Sequence, residues 1–443
     1  MKQFSVNPLF FVNMLITLLL LAACGPEETD IPAEVPPAEI TIITGNNPTQ
    51  VEEELFRAFE ETYPGVKVKT ANFGRNPRAY LESDTPPDVM IMWTGDWFLD
   101  PVRDGLAADL TDLWDQANLA ESYPTGLRRL TEFNGKQYFM PVGYQWRGIY
   151  YNRAVFAENG LQPPQTWEEF LDACETLILN GVYPISLPQN APWNTSLWFD
   201  YLDMRLNGAA FHRGLIAGEE SFVDERVRNV FLTWQMLFEK SYFLTDTSIT
   251  SEMDGLSALF RNDRQMQLTR EKAAMTLTDA FATSDFPQVF QNELEFFPFP
   301  TIDPNVPRGE SVNAIGYIVP SKAPNPVQAL AFLRYLTSDS ARQLLTRQAD
   351  VGINYAPALG VSDVEDLPDS ARTGLEIVQN AEDVMLPIFW ASPAQVRVQI
   401  ESVLRRFFAG VKPGKEVDID ELLTDLEAAR LKAIEAGEYG EGR

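Results

Sequence analysis

The sequence predicts an α/β protein built as two lobes, and three observations carry that reading. The chain has 443 residues, more than one hydrophobic core usually serves. Near its start, short buried-strand runs alternate with an amphipathic helix, the pattern of parallel strands covered by helices. Residues 135–152, GKQYFMPVGYQWRGIYYN, are aromatic, glycine-punctuated and without helical period. They read as an extended crossing between lobes.

The elements follow in order. EITIIT (39–44) is an apolar run suited to a buried strand. TQVEEELFRAFEETYPG then begins a helix. Thr49 with Glu52 forms a capping box, Val51, Leu55 and Phe59 share one face, and Pro64-Gly65 ends it. VKV (66–68) is a second strand and DVMIM (88–92) a third. After the crossing, Thr166 with Glu169 caps a helix whose stripe is Trp167, Phe170, Leu171, Cys174, Leu177 and Ile178. Cys174 is therefore a core residue. Residues 195–290 read as mostly helical. ELEFFPFP (293–300) is extended, AIGYIVP (314–320) is a strand, and helical spacing resumes at Ala329, Phe332, Leu333 and Leu336. A last helix runs from Asp418 to Gly437.

The first residues are different in kind. Lys2 precedes a mostly apolar run from Leu9 to Leu21, and small residues Ala22 and Ala23 stand before Cys24. The run is short and ends at a cleavage-type site, so residues 1–23 read as a signal peptide rather than a spanning helix. Leu21-Ala22-Ala23-Cys24 resembles a bacterial lipobox, which implies cleavage before Cys24 and its lipidation. Residues 24–38, rich in Pro and Glu, read as an extended tether. The mature chain is expected outside the cytoplasm, held to the cell membrane by lipid.

Composition excludes some classes. The 63 acidic and 35 basic residues give a net charge of −28, which repels nucleic acid and anionic lipid surfaces. The two cysteines give no disulfide framework. The single histidine, His212, cannot build a zinc cluster, and no phosphate-binding glycine motif occurs. No cofactor is expected. The acidic residues leave a glycosidase carboxylate pair open, and none singles itself out.

What does stand out is aromatic residues outside periodic segments, beside short polar ones. Trp93 and Trp97 accompany Asp96, Tyr144 and Trp146 flank Gln145, Trp193 precedes Asn194, and Trp390 ends VMLPIFW. Ligands of open α/β sheets bind beyond the carboxyl ends of strands. There, aromatic faces stack on sugar C–H faces while amides and carboxylates bond hydroxyls.

Several stretches together resemble the bacterial extracellular solute-binding proteins of family 1, the sugar-binding lipoproteins of ABC importers that include the maltodextrin-binding proteins. They are LFRAFEETYPGVKV (55–68), PPDVMIMWTGDWF (86–98), residues 135–170, KAAMTLT (272–278), residues 317–345 and VMLPIFWASPAQVRVQIESVLRRFFAG (384–410). The resemblance implies a periplasmic-binding-protein-like fold of two discontinuous α/β lobes with the cleft between them. Three crossings would fall near Tyr144–Arg147, Glu295–Phe297 and Pro320–Lys322. The lobes would be 39–145 with 296–320, and 146–295 with 321–443.

Family ligand contacts carry over residue by residue. They are Asn46 and Asn47 after the first strand, then Trp93 and Asp96, then Gln145 with Tyr144 and Trp146. Trp193 with Asn194 follows, then Phe281, Asn313, Gly316 and Trp390. Maltodextrin binders often carry charge where Asn46 and Asn47 stand, a departure that speaks against that ligand. Trp97 has no family counterpart and is expected to pack on its own lobe. The implied protein is a monomer without bond chemistry that delivers a carbohydrate to permease subunits. A polyol, a phosphorylated glycerol or a peptide remains an alternative cargo, and a secreted carbohydrate-active enzyme an alternative class.

Overall fold

The computed structural model describes residues 35–45, 48–74, 76–123, 125–245, 248–260, 272–280, 290, 293–348, 369–411, 415 and 417–439. Cys24, the signal segment, Asn46, Asn47 and Phe281 lie outside the described residues.

The strands in chain order are β1 (Ala38–Thr44), β2 (Val66–Asn72), β3 (Val89–Trp93), β4 (Glu132–Phe133), β5 (Lys136–Gln137), β6 (Met140–Gln145) and β7 (Arg147–Asn152). Then come β8 (Tyr183–Ser186), β9 (Phe243–Leu244), β10 (Ala273–Asp279), β11 (Leu294–Phe297), β12 (Gly309–Ser311), β13 (Asn313–Ile318) and β14 (Asp383–Met385). They make two five-stranded sheets, one per lobe, ordered β2-β1-β3-β13-β6 and β11-β7-β10-β8-β9. In the first, β1, β2 and β3 run parallel and β13 runs against β3 and β6. In the second, β8, β9 and β10 run parallel and β7 runs against β10 and β11.

Both predicted capping boxes form, at Thr49/Glu52 and at Thr166/Glu169. Each satisfies two backbone donors that a helix start leaves unpaired. Cys174 is buried on the stripe of its helix, and burial pushes its thiol up, away from reactivity.

The stretch 273–279 is a correction to the helical reading of 195–290. It forms the middle strand of the second sheet, with six of its seven residues buried. A strand covered on both faces loses the alternation that would reveal it. The remaining helical expectation holds at Pro192–Asn207, Ala209–Ile216, Glu225–Glu239 and Glu252–Ser257.

The crossings position the cleft. At the first, Trp146 alone separates β6 of one sheet from β7 of the other. The second leaves β11, continues with Phe299 in the core of the second lobe, and returns to the first sheet at β13. The third falls later than the expected 320–322. Asp88, at the start of β3, accepts Thr41 N at 2.8 Å and Asn325 N at 2.7 Å, which holds the chain after Pro320 on the first lobe. Phe332 of the Pro326–Tyr335 helix then packs edge-on against Phe59 with ring centroids 5.2 Å apart. Passage to the second lobe comes at β14, which pairs with β12 in a two-stranded parallel ribbon. Asp383 of β14 is bonded by both Arg129 and Arg213. Arg205 is buried against Glu310 of β12 at 2.7 Å. The helices Ala394–Gly410 and Ile419–Glu435 complete the second lobe.

Candidate functional site

Parallel strands fix where a ligand can sit. The carboxyl ends of β1 and β3 in one sheet, and of β8 and β10 in the other, lie on the edge where Gln145 leads through Trp146 to Arg147. That edge is the place for a ligand in an open α/β sheet.

The wall from the first lobe is built at the end of β3. Trp93, half-buried, meets Phe73 edge-on at 5.5 Å, and its indole Cη2 lies 3.5 Å from where a side chain at Gly45 would begin. Phe73 also stacks on Trp97 at 5.9 Å, so Trp97, though 48% exposed, packs on its own lobe. Thr94 is tied to β13 through Thr94 N to Ala314 O at 3.0 Å and Ala314 N to Thr94 Oγ1 at 2.9 Å. Gly95 has φ +125°, a conformation L side chains rarely adopt. It lets the chain turn into the Asp96–Arg103 helix beside Trp390. A Cβ on Gly95 would lie 3.7 Å from the Trp390 carbonyl oxygen.

The second lobe therefore reaches the first at that point. Trp390 belongs to the short Ile388–Ala391 helix, set by Asp200 Oδ1 accepting Ile388 N at 3.1 Å. Asp96 Oδ2 accepts from Arg397 Nη2 at 2.8 Å, an ion pair from one lobe to the other. Asp96 and Trp390 thus meet at the turn that follows Trp93, and Arg397 joins them unannounced by the sequence.

At the floor, Arg147 donates through Nη2 to Asn313 Oδ1 at 2.8 Å, and Asn313 Nδ2 donates to Thr94 O at 3.5 Å. Gln145 lies opposite Asn313 across the β6–β13 ladder. Gln145 Nε2 and Arg147 Nε and Nη1 are buried and have no hydrogen-bond partner among the described residues. The wall from the second lobe carries Trp193, whose Nε1 donates to Glu252, and Asp279, which faces Arg147 across the β7–β10 ladder. Burial pushes the Glu252 carboxyl up, and nearby Asp279 adds to the rise.

Four expected contacts are engaged in packing. Trp146 is fully buried, stacked on Phe296 at 5.9 Å and covered by Gly374 of the Asp369–Gln379 helix. Gly316 sits in the middle of the first sheet. A Cβ there would lie 2.1 Å from Met140 O, so it is a close-approach glycine. Asn194 is buried, and its amide holds the Pro192–Asn207 helix to β10 through Thr278 Oγ1 at 3.0 Å. Tyr144 is buried among the first lobe's apolar residues, and burial pushes its phenol far up. Phe73, Arg147, Glu252, Asp279 and Arg397 were not among the expected contacts. Arg147 directly follows the expected contacts and was the one with a visible signal.

His212 follows Phe211 in the Ala209–Ile216 helix. It is fully buried between two carboxylates, with Nε2 3.1 Å from Asp200 Oδ1 and Nδ1 2.7 Å from Asp203 Oδ2. Among the described residues no group of three His, Cys, Asp or Glu side chains is placed to hold a metal. No helix of the described residues is long and apolar enough to cross a membrane.

A family model described as bacterial extracellular solute-binding protein matches residues 45–343, two thirds of the chain. The multiple sugar-binding protein of Streptococcus mutans is 23% identical over 377 residues, covering 81% of this chain and 84% of that one. The osmoprotective compounds-binding protein of Synechocystis is 23% identical over 402 residues, covering 86% and 89%. Two ABC transporter extracellular-binding proteins of Pyrococcus horikoshii match at 27% and 22% identity, and the matched part spans 49% and 65% of their lengths. Among solved structures, the bacterial solute receptor AcbH superposes with TM-score 0.71 at 19% identity, covering 90% of this chain and 98% of that one. A chitin oligosaccharide binding protein gives 0.70 at 18%, covering 90% and 99%. These likenesses give the periplasmic-binding-protein fold of two α/β lobes, and with the family match the chain belongs to the bacterial extracellular solute-binding proteins.

Proposed function

We propose that the protein is the extracytoplasmic, lipid-anchored receptor of an ABC importer, capturing a carbohydrate between its lobes and presenting it to a membrane permease without bond chemistry. The observation that carries this reading is the meeting of the turn that follows Trp93, at Gly95 and Asp96 of one lobe, with Trp390 and Arg397 of the other. Aromatic faces on both walls of a hinged cleft, with carboxylate, amide and guanidinium groups between them, suit a hydroxyl-rich ring. Ligand that bridges both walls favours the closed form, and a permease that reads the closed form responds only to loaded receptor. The names of the relatives point the same way: sugars for the Streptococcus mutans protein, chitin oligosaccharides and β-D-galactopyranose for the two solved receptors. The Synechocystis relative is named for osmoprotective compounds, so the screen below includes polyols beside sugars.

The test is a thermal-shift screen of the mature chain against mono- and oligosaccharides, polyols, glycerol phosphate and peptides. Ligand at about 100 times Kd stabilises by about 2.7 kcal/mol, a readily measured shift. A carbohydrate that raises Tm supports the reading, and a response confined to another class overturns it. Turnover of chromogenic glycosides would move the protein to the enzymes. The anchor is tested separately: Cys24→Ser should release the protein from the membrane fraction.

A further inference from the structure

We infer that Arg147 is the specificity-determining residue of the cleft floor, donating Nε and Nη1 to oxygen atoms of a neutral saccharide while the carboxylates beside it reject acidic sugars. The inference rests on the carbohydrate reading above and names the ligand class more narrowly.

Arg147 is only 3% exposed. Its Nη2 is used on Asn313, whereas Nε and Nη1 have no partner among the described residues. A buried guanidinium with unmade bonds is costly, because its donors have lost water and gained nothing. Its position makes a ligand the natural partner. Through Asn313 it connects to Thr94, next to Trp93. Behind it stands Asp200, whose Oδ1 sets the helix that bears Trp390. Beside it, Gln145 also presents a buried amide nitrogen without a partner. Unmade donors of Gln145 and Arg147 therefore lie together at the strand ends, on either side of the first crossing.

What these donors lack is acceptor atoms, not negative charge. Asp279 faces Arg147 across the ladder, and both Asp279 and Asp200 oppose the loss of its proton that burial favours. Glu252 lies near Asp279 on the same wall. A ligand carboxylate would meet Asp279 and Glu252 at close quarters in a poorly solvated cleft, where like charges repel strongly. Hydroxyl and ring oxygens supply acceptors at no such cost, and the sugar hydroxyls can donate to those same carboxylates. A site built to bond a hydroxyl rejects the analogue that lacks it far more strongly than an apolar pocket can.

The experiment is calorimetric titration of the mature protein with D-glucose, D-galactose, maltose, raffinose, D-glucuronate and D-galacturonate. It is repeated with Arg147→Met and Arg147→Lys, and with monodeoxy analogues of the neutral probe that binds best. The expected result is binding of a neutral probe, at least about tenfold weaker binding of its uronate, and a loss of about 30-fold or more in Arg147→Met. One monodeoxy analogue should bind the parent poorly, and that penalty should vanish in Arg147→Met and shrink in Arg147→Lys. A residue that only supports the fold would leave the deoxy penalty unchanged. Should Arg147→Met not fold, the penalty in Arg147→Lys decides. The inference fails if uronates bind as well as neutral sugars, or if every deoxy penalty survives substitution, and the carbohydrate reading then stands. If none of the saccharides binds the parent, that reading fails and the inference with it.

Discussion

Asp96 and Arg397 form an ion pair at 2.8 Å that joins the helix after β3 in the first lobe to the Ala394–Gly410 helix of the second. The Asp96 side chain is 7% exposed and that of Arg397 23%, so the pair is shielded better than a surface contact. A bond that exists only when the lobes meet stabilises the closed form and hence ligand affinity. Asp96→Asn and Arg397→Ala should each weaken ligand binding about five- to tenfold, near 1 kcal/mol, with little change in the stability of either lobe. The double variant should be hardly worse than either single one, because both delete the same contact. Additive losses in titration calorimetry would show that the two residues act independently.

Under the proposed function, Trp93 of the first lobe and Trp390 of the second, both only partly buried, contribute by stacking on the ligand. Trp93→Ala or Trp390→Ala should weaken sugar binding about tenfold, ~1.4 kcal/mol, with the circular dichroism of the parent retained. Trp97→Ala serves as the contrast. Its ring rests on Phe73, so affinity should stay within about threefold. If Trp97→Ala costs as much as Trp93→Ala, Trp97 belongs to the ligand platform.

How much of this was legible in the chain depended on range. Capping boxes at Thr49 and Thr166 are three-residue signals and can be read locally. The extended crossing around Trp146 was legible because its aromatic and glycine residues break helical period. The place of the third crossing was not, because it depends on Phe332 meeting Phe59, a contact 273 positions apart that no local pattern announces. β10 was hidden by its own burial on both faces. Trp93 and Trp390 stood out as aromatics where no stripe required them, whatever their role. Arg397 and Glu252 lie in helices, where a charged residue looks like any solvated face. Only tertiary packing gives each its partner, within the second lobe for Glu252 and across the lobes for Arg397.

Gly316 is predicted to be intolerant of any side chain. β13 passes so close to β6 that a Cβ would overlap the Met140 carbonyl oxygen and lie 2.7 Å from Pro141 Cα, both backbone atoms that cannot swing aside. The register of the pair also shifts at this position. Gly316→Ala should cost about 2–4 kcal/mol by forcing the strands apart, and it should lower Tm by several degrees without ligand. A variant that melts with the parent would show that the strands yield at that point.

His212 makes stability depend on pH in a defined direction. Burial favours loss of its proton, but hydrogen bonds to Asp200 and Asp203 outweigh that effect and push its pKa up to about 9 from 6.5. Other charges in reach are Arg147, which acts on Asp200, and Arg226, which acts on Asp203. The folded state therefore keeps a proton that the unfolded chain has already released. This stabilisation is complete below pH about 6.5 and is lost as pH rises through about 9. The ligand-free protein should lose about 1–3 kcal/mol over that window, read as a falling midpoint in urea denaturation. His212→Gln should be less stable at pH 6 and should show a flatter profile from pH 6.5 to 9. A parent midpoint that stays level across the window would mean that His212 is neutral in the folded state. Because Asp200 also positions Ile388, and with it Trp390, ligand affinity should weaken over the same pH range.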